Sequence, residues 1–194
     1  MSHRHLVRRR TLLGQGAGLL LGAGLAGVVR AQVPAPQGIE LTTLRVQRAD
    51  GVLSLDFVAR VVLPRAVEEA LTRGVPVVFV AEATLLRSRW YWRDARIARV
   101  SRQWRVAFQP LTGNWRVGLG GLNQSHATLE EALVAASRSA GWRLADLAQL
   151  DPDKSYYVEF DYRLDTSQLP SPMQFGLVTQ GDWALGAARV LRVE

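Results

Sequence analysis

Residues 87–105 carry the densest chemistry in the chain: Arg87, Arg89, Arg93, Arg96, Arg99, Arg102 and Arg105 interleave with Trp90, Tyr91, Trp92 and Trp104, against one acid, Asp94. Guanidinium groups offer a planar fork to phosphate or carboxylate and stack on aromatic rings, so this composition suits an anionic partner. In a strand of period two, Arg93, Arg99 and Arg105 fall on one face and Trp104 on the other, which predicts a cationic strip. The candidate contact set is Arg87, Arg89, Trp90, Trp92, Arg93, Arg99 and Arg105. A competing reading needs no ligand: long arginine stems cover tryptophan edges and pair with surface acids.

Other chemistry is sparse. The chain has no cysteine, and of its three histidines His3 and His5 lie near the start, leaving His126 alone in the body, so zinc lacks its usual nitrogen and sulfur ligands. Ser125-His126 are sequence neighbours, which is not the geometry of a nucleophile and its base, and no G-x-S-x-G elbow is present. His126 therefore reads as a packed residue ahead of a helix. Gly118-Leu119-Gly120-Gly121 lacks the Gly-Lys-Ser/Thr ending of a phosphate loop and reads as a turn. Asp151-Pro152-Asp153-Lys154 opens like a calcium loop but lacks the later ligands. Glu159 and Asp161 share a strand face, in the ordinary outward alternation. Neither a metal, a cofactor nor a catalytic group is expected.

The 194 residues bear a formal charge of +7, but five of the 24 basic residues, Arg4, Arg8, Arg9, Arg10 and Arg30, fall in the first 31 positions, where there is no acid. The rest of the chain is nearly balanced, so its charge does not call for nucleic acid. Residues 4–10 form a basic region, residues 12–29 an uncharged run, and Val29-Arg30-Ala31 offers small residues for cleavage after Ala31, the pattern of a secretory signal peptide. The Arg9-Arg10 pair, six glycines in the run and Arg30 before the cut favour the twin-arginine route over the general one. A bilayer span needs about 20 strongly apolar residues, which this glycine-rich run does not supply, so no stable span is expected after cleavage. The expected organisation is a leader over residues 1–31, a linker over 32–38 and one domain over 39–194, in the periplasm.

That domain must hold the arginine run on strands. Leu44 and Val46 alternate with polar residues, Asp50-Gly51 supplies a turn, and Leu53, Leu55, Phe57, Ala59 and Val61 continue the alternation, giving a hairpin. Residues 64–73 read as a short helix opened by Pro64 and closed at Gly74. Residues 75–86 are apolar on both faces and read as a central strand. Ala98, Val100, Trp104, Val106 and Phe108 mark the next strand, and Trp115, Val117 and Leu119 another after the turn at Thr112-Gly113-Asn114. Thr128 with Glu131 forms a capping box for a second helix ending near Gly141. Tyr156, Val158, Phe160, Tyr162 and Leu164 define the plainest strand. After Leu169-Pro170-Ser171-Pro172, residues 174–193 give one or two weaker strands around Gly181 and Trp183. The expected fold is mainly β, an antiparallel immunoglobulin-like sandwich with two short helices.

Five segments in order resemble an exported proteobacterial family, domain of unknown function 4390. They are residues 69–76, the Arg89-Trp90-Tyr91-Trp92-Arg93-Asp94 run, Gly121-Leu122-Asn123-Gln124-Ser125 with residues 129–133, residues 164–170, and Asp182-Trp183-Ala184-Leu185. The sequence departs from that family at His126, where an aromatic residue is usual, and at residues 186–188, where a serine and a tryptophan are usual. The resemblance implies no known chemistry. It implies, by gene association, a membrane sensor histidine kinase as signalling partner.

The sequence thus leads to a non-catalytic exported binding or interaction module. The alternative is an envelope protein that holds an anionic ligand on the arginine strip, and an enzyme stands third. Because the leader directs the protein away from nucleic acid, the expected partners of the strip are lipid headgroups, envelope polymers or an acidic protein face.

Overall fold

Alternating apolar residues become two antiparallel sheets in a computed structural model, which describes residues 37–91, 93–168 and 181–193. The leader with Arg9, Arg10 and Ala31, the linker up to residue 36, Trp92, and residues 169–180 lie outside the described residues. In chain order the elements are β1 Gly38–Ala49, β2 Val52–Val62, α1 Arg65–Thr72, β3 Val77–Arg87, β4 Ala95–Gln109, β5 Asn114–Leu119, β6 Leu122–His126, α2 Leu129–Ala136, β7 Arg138–Asp146, β8 Tyr156–Asp165 and β9 Gly186–Val193. One sheet has the order β1-β2-β7, the other β6-β5-β4-β3-β8-β9. The mainly β, antiparallel, two-sheet fold with two short helices is as the alternation predicts, and its strands divide three and six.

The first hairpin follows from its turn. Asp50 and Gly51 both take positive φ, 52° and 74°, the backbone of a two-residue hairpin turn whose twist matches its strands. Leu53, Leu55, Phe57 and Ala59 then face inward from β2, and β3 sits between β4 and β8 with Val77, Phe79, Ala81, Ala83 and Leu85 buried. The sheets meet through aromatic rings. Phe57 lies 4.9 Å from Phe160, 5.4 Å from Tyr162 and 5.8 Å edge-on from Trp104, centroid to centroid. Val78 and Val80 are buried on the opposite face of β3, which accounts for its apolar character on both sides.

α2 begins as the capping box predicts: Thr128 Oγ1 accepts from Glu131 N at 3.2 Å, and Glu131 Oε2 accepts from Ala127 N at 3.1 Å. It ends earlier than the sequence suggests. Ala59 N donates to Ser137 O at 2.8 Å, which draws the chain into the three-stranded sheet, and Gly141 (φ 59°) sits in an irregularity of β7 rather than at a helix end. Trp142 and Leu144, buried on either side of exposed Arg143, are the alternation that marks this strand. The carbonyl of Ala136 accepts from Tyr162 Oη at 3.0 Å inside the core, where burial pushes the phenol up from its ordinary titration range.

Two further expectations are corrected. β6, polar and exposed along most of its length, carries too little alternation to be recognised, and only Gly120 and Gly121 form the turn before it. Gly181–Trp183 is a short 3-10 turn that buries Trp183, and the closing strand starts only at Gly186, pairing with β8 through Arg163.

Candidate functional site

The predicted strip does not assemble. β4 starts at Ala95, so Arg93 precedes it, and the register slips opposite Leu85 and Leu86, where Ala98 and Arg96 are the partners. That extra residue breaks the parity that would have put Arg93 in line with Arg99 and Arg105. Arg99 and Arg105 do share the outward face, six residues or about 20 Å apart, too far to grip one small anion together.

Arg99 is also engaged. Its Nη2 lies 2.7 Å from Glu82 Oε2 on β3, and that hydrogen bond shifts its titration upward. The register explains the pairing: Glu82 stands directly opposite Asp161 of β8, a repulsive placement, and Arg99 and Arg163 relieve it from either side, Arg163 pairing with Asp161. Glu159 and Asp161 face outward, as their alternation predicts. Arg105, beside Val78, forms no ion pair among the described residues.

Arg102 has a different role, absent from the sequence reading although its parity with Trp104 was the signal. It turns inward, donates from Nη1 to Ser139 Oγ of β7 at 2.6 Å, and sets its guanidinium carbon 5.1 Å from the centre of the Trp142 ring. Burial shifts its titration downward. It ties the two sheets together.

Of the other described residues of the run, Arg89, Trp90, Tyr91, Arg93 and Asp94 lie in the loop between β3 and β4. Trp90 is 92% exposed and Tyr91 69%, their rings 4.8 Å apart and edge-on. Arg89 and Arg93 are exposed in the same loop, Arg96 is exposed near the start of β4, and Arg87 is half-buried at the end of β3. Three hydrogen bonds fasten the base. Ser88 N donates to Ser155 O at 3.0 Å, Arg89 N donates to Asp94 Oδ1 at 3.0 Å, and Tyr157 Oη of β8 donates to Asp94 Oδ2. The bonds from Tyr157 and then from Arg89 N hold the Asp94 carboxyl below its ordinary value, and the same contact pushes the Tyr157 phenol up to about 12. The only acid in the arginine run is thus used to shape the loop.

A groove of about 620 Å³ is floored by Trp104, Val117, Leu119 and Leu122 and edged by Arg138 and Ser139. Its carboxylate, Asp56, already accepts from Gln47 Nε2 at 2.8 Å and from Gly141 N at 2.7 Å, so it holds the β7 irregularity in place. His126 lies across from Trp115 on β6, half-buried, with its buried Nε2 making no hydrogen bond among the described residues. Among the described residues no cluster of three His, Cys, Asp or Glu could hold a metal ion, and no helix is long and apolar enough to cross a membrane.

Fold and site together define a two-sheet β protein that displays a fastened aromatic loop at the end of a sheet whose outward face carries the Arg99–Glu82 and Arg163–Asp161 ion pairs. The chain belongs to the family described as domain of unknown function (DUF4390), whose model matches residues 36–192. Neither the curated proteins nor the solved structures gave a match to the chain.

Proposed function

We propose that the protein is a non-catalytic, exported binding or interaction module of the periplasm, with the β3–β4 loop as its contact element. The observation that carries this reading is the exposure of Trp90 and Tyr91 on a loop whose base is fastened by Asp94. Large rings left in water lose favourable burial, and Trp, Tyr and Arg are the side chains that contribute most when a partner covers them. By family association the module works beside a membrane sensor histidine kinase.

Crosslinking in cells followed by pull-down tests the reading. Capture of a partner by the processed protein should fall when Trp90→Ala and Tyr91→Ala are combined, with folding unchanged. Undiminished capture would remove the loop from the reading. Export is tested separately: Arg9→Lys with Arg10→Lys should block the twin-arginine route, which reads the pair itself. Normal accumulation of processed protein in the periplasm would eliminate that route and leave the general one.

A further inference from the structure

Resting on the proposed contact role of the β3–β4 loop, we propose that its partner is an anionic lipid surface, with Trp90 and Tyr91 entering the headgroup layer and Arg89, Arg93 and Arg96 facing lipid phosphate. Three observations converge on this choice. The tip carries Trp and Tyr, whose rings pair an apolar body with a polar edge and settle at a membrane's polar boundary rather than in its hydrocarbon.

The second observation is charge. Arg89 and Arg93 in the loop and Arg96 at the start of β4 are exposed, against one exposed carboxylate, Asp94, which accepts from the Arg89 amide and the Tyr157 hydroxyl. In the neighbouring connection the acids Asp151 and Asp153 stand against Lys154, so the charge that favours an anionic leaflet comes from the loop's own arginines. Basic residues near an anionic leaflet contribute about 1 kcal/mol each, so the exposed arginines add to what the rings gain by entering the surface.

The third is size. A stable protein interface buries roughly 800 Å² per partner from about 20–30 residues. The loop is a narrow tip between two strands, flanked below by the ion-paired sheet face around Glu82, Arg99, Asp161 and Arg163. A bilayer needs no matching pocket and takes such a tip by shallow insertion and charge.

Co-sedimentation with vesicles tests the proposal, using the processed protein purified from cells. Vesicles of phosphatidylglycerol and phosphatidylcholine should carry the protein down, and phosphatidylcholine alone should not. Arg89→Gln with Arg93→Gln should weaken partitioning about thirtyfold at low salt. In a Trp92→Phe background bromine-labelled lipid should quench tryptophan fluorescence, and adding Trp90→Phe should reduce that quenching, since Trp104, Trp115, Trp142 and Trp183 are buried. All variants should keep the circular dichroism of the parent. Protein left in the supernatant with phosphatidylglycerol, or partitioning unaltered by the double arginine change, overturns the proposal. If the loop then still crosslinks to an acidic protein in cells, the interaction module stands without the lipid. If it crosslinks to nothing, both fall.

Discussion

The β3–β4 ladder and the loop that joins those strands are built from the same residue types, arginine and large aromatics, and put them to opposite uses. In the ladder Trp104 is 2% exposed in the core, Arg102 bridges to β7, and Arg99 is paired with Glu82. In the loop Trp90 and Tyr91 point into water and Arg89 and Arg93 stand beside them. The difference lies in the neighbours. A strand residue inherits whatever the adjacent strands place beside it, and β3 places Glu82 beside Arg99 of β4. The loop's tip has no neighbouring strand to pair its side chains, and its base is fastened through Asp94, Ser155 and Tyr157. Composition alone therefore marks a region, while pairing decides which of its side chains are left to bind.

The largest expected effects sharpen this contrast. Trp104→Ala should cost about 3–5 kcal/mol in chemical denaturation, and Phe160→Ala a similar amount, because both vacate space between the sheets. Trp90→Ala and Glu159→Ala should each cost roughly 0.5 kcal/mol or less. Similar losses for Trp104 and Trp90 would break the distinction between ladder and loop. Next in size is Tyr162→Phe, which removes the donor to the buried Ala136 carbonyl and should cost about 1–3 kcal/mol.

The loop's own fastening should be visible in titration. Tyr157 is held neutral, its phenol moved from 10 to about 12, so what the clasp contributes is present in full below pH 10 and is lost as the pH rises to about 12. At the acid end Asp94 is depressed, so its contribution is present above the ordinary carboxylate value and fades as the pH falls through the lowered one. Tyrosinate absorbance, compared with Tyr157→Phe, should show Asp94→Asn returning the phenol toward 10. A phenol still titrating near 12 in that variant would mean the clasp does not form. The smallest effect separates two arginines: Arg93→Gln should weaken partner capture and its salt dependence, whereas Arg99→Gln should leave both unchanged.

Much of the scaffold was legible because burial writes itself into alternation: the Asp50-Gly51 hairpin, β3 and β8 could be read from period and turn chemistry. β7 was hidden behind the helical signal of residues 129–136, since the Ser137–Ala59 contact that ends the helix is long-range. β6 was hidden because a polar edge strand needs no apolar face. At the site, the residue types were legible and their grouping was not. A strip of Arg93, Arg99 and Arg105 assumes one unbroken strand, and the register slip opposite Leu85 and Leu86 undoes it. The Asp94–Tyr157 contact joins residues 63 positions apart, which spacing within the arginine run could not reveal.

The most direct test places a photoreactive residue at Tyr91 on the loop in one protein and at Gln103 on the outward face of β4 in another, and compares what each captures in living cells. The loop position should yield a crosslinked product, protein or lipid, and the sheet position should yield none. A product at Gln103 with nothing at Tyr91 would contradict the account and make the charge-paired sheet face, not the loop, the surface by which the protein acts.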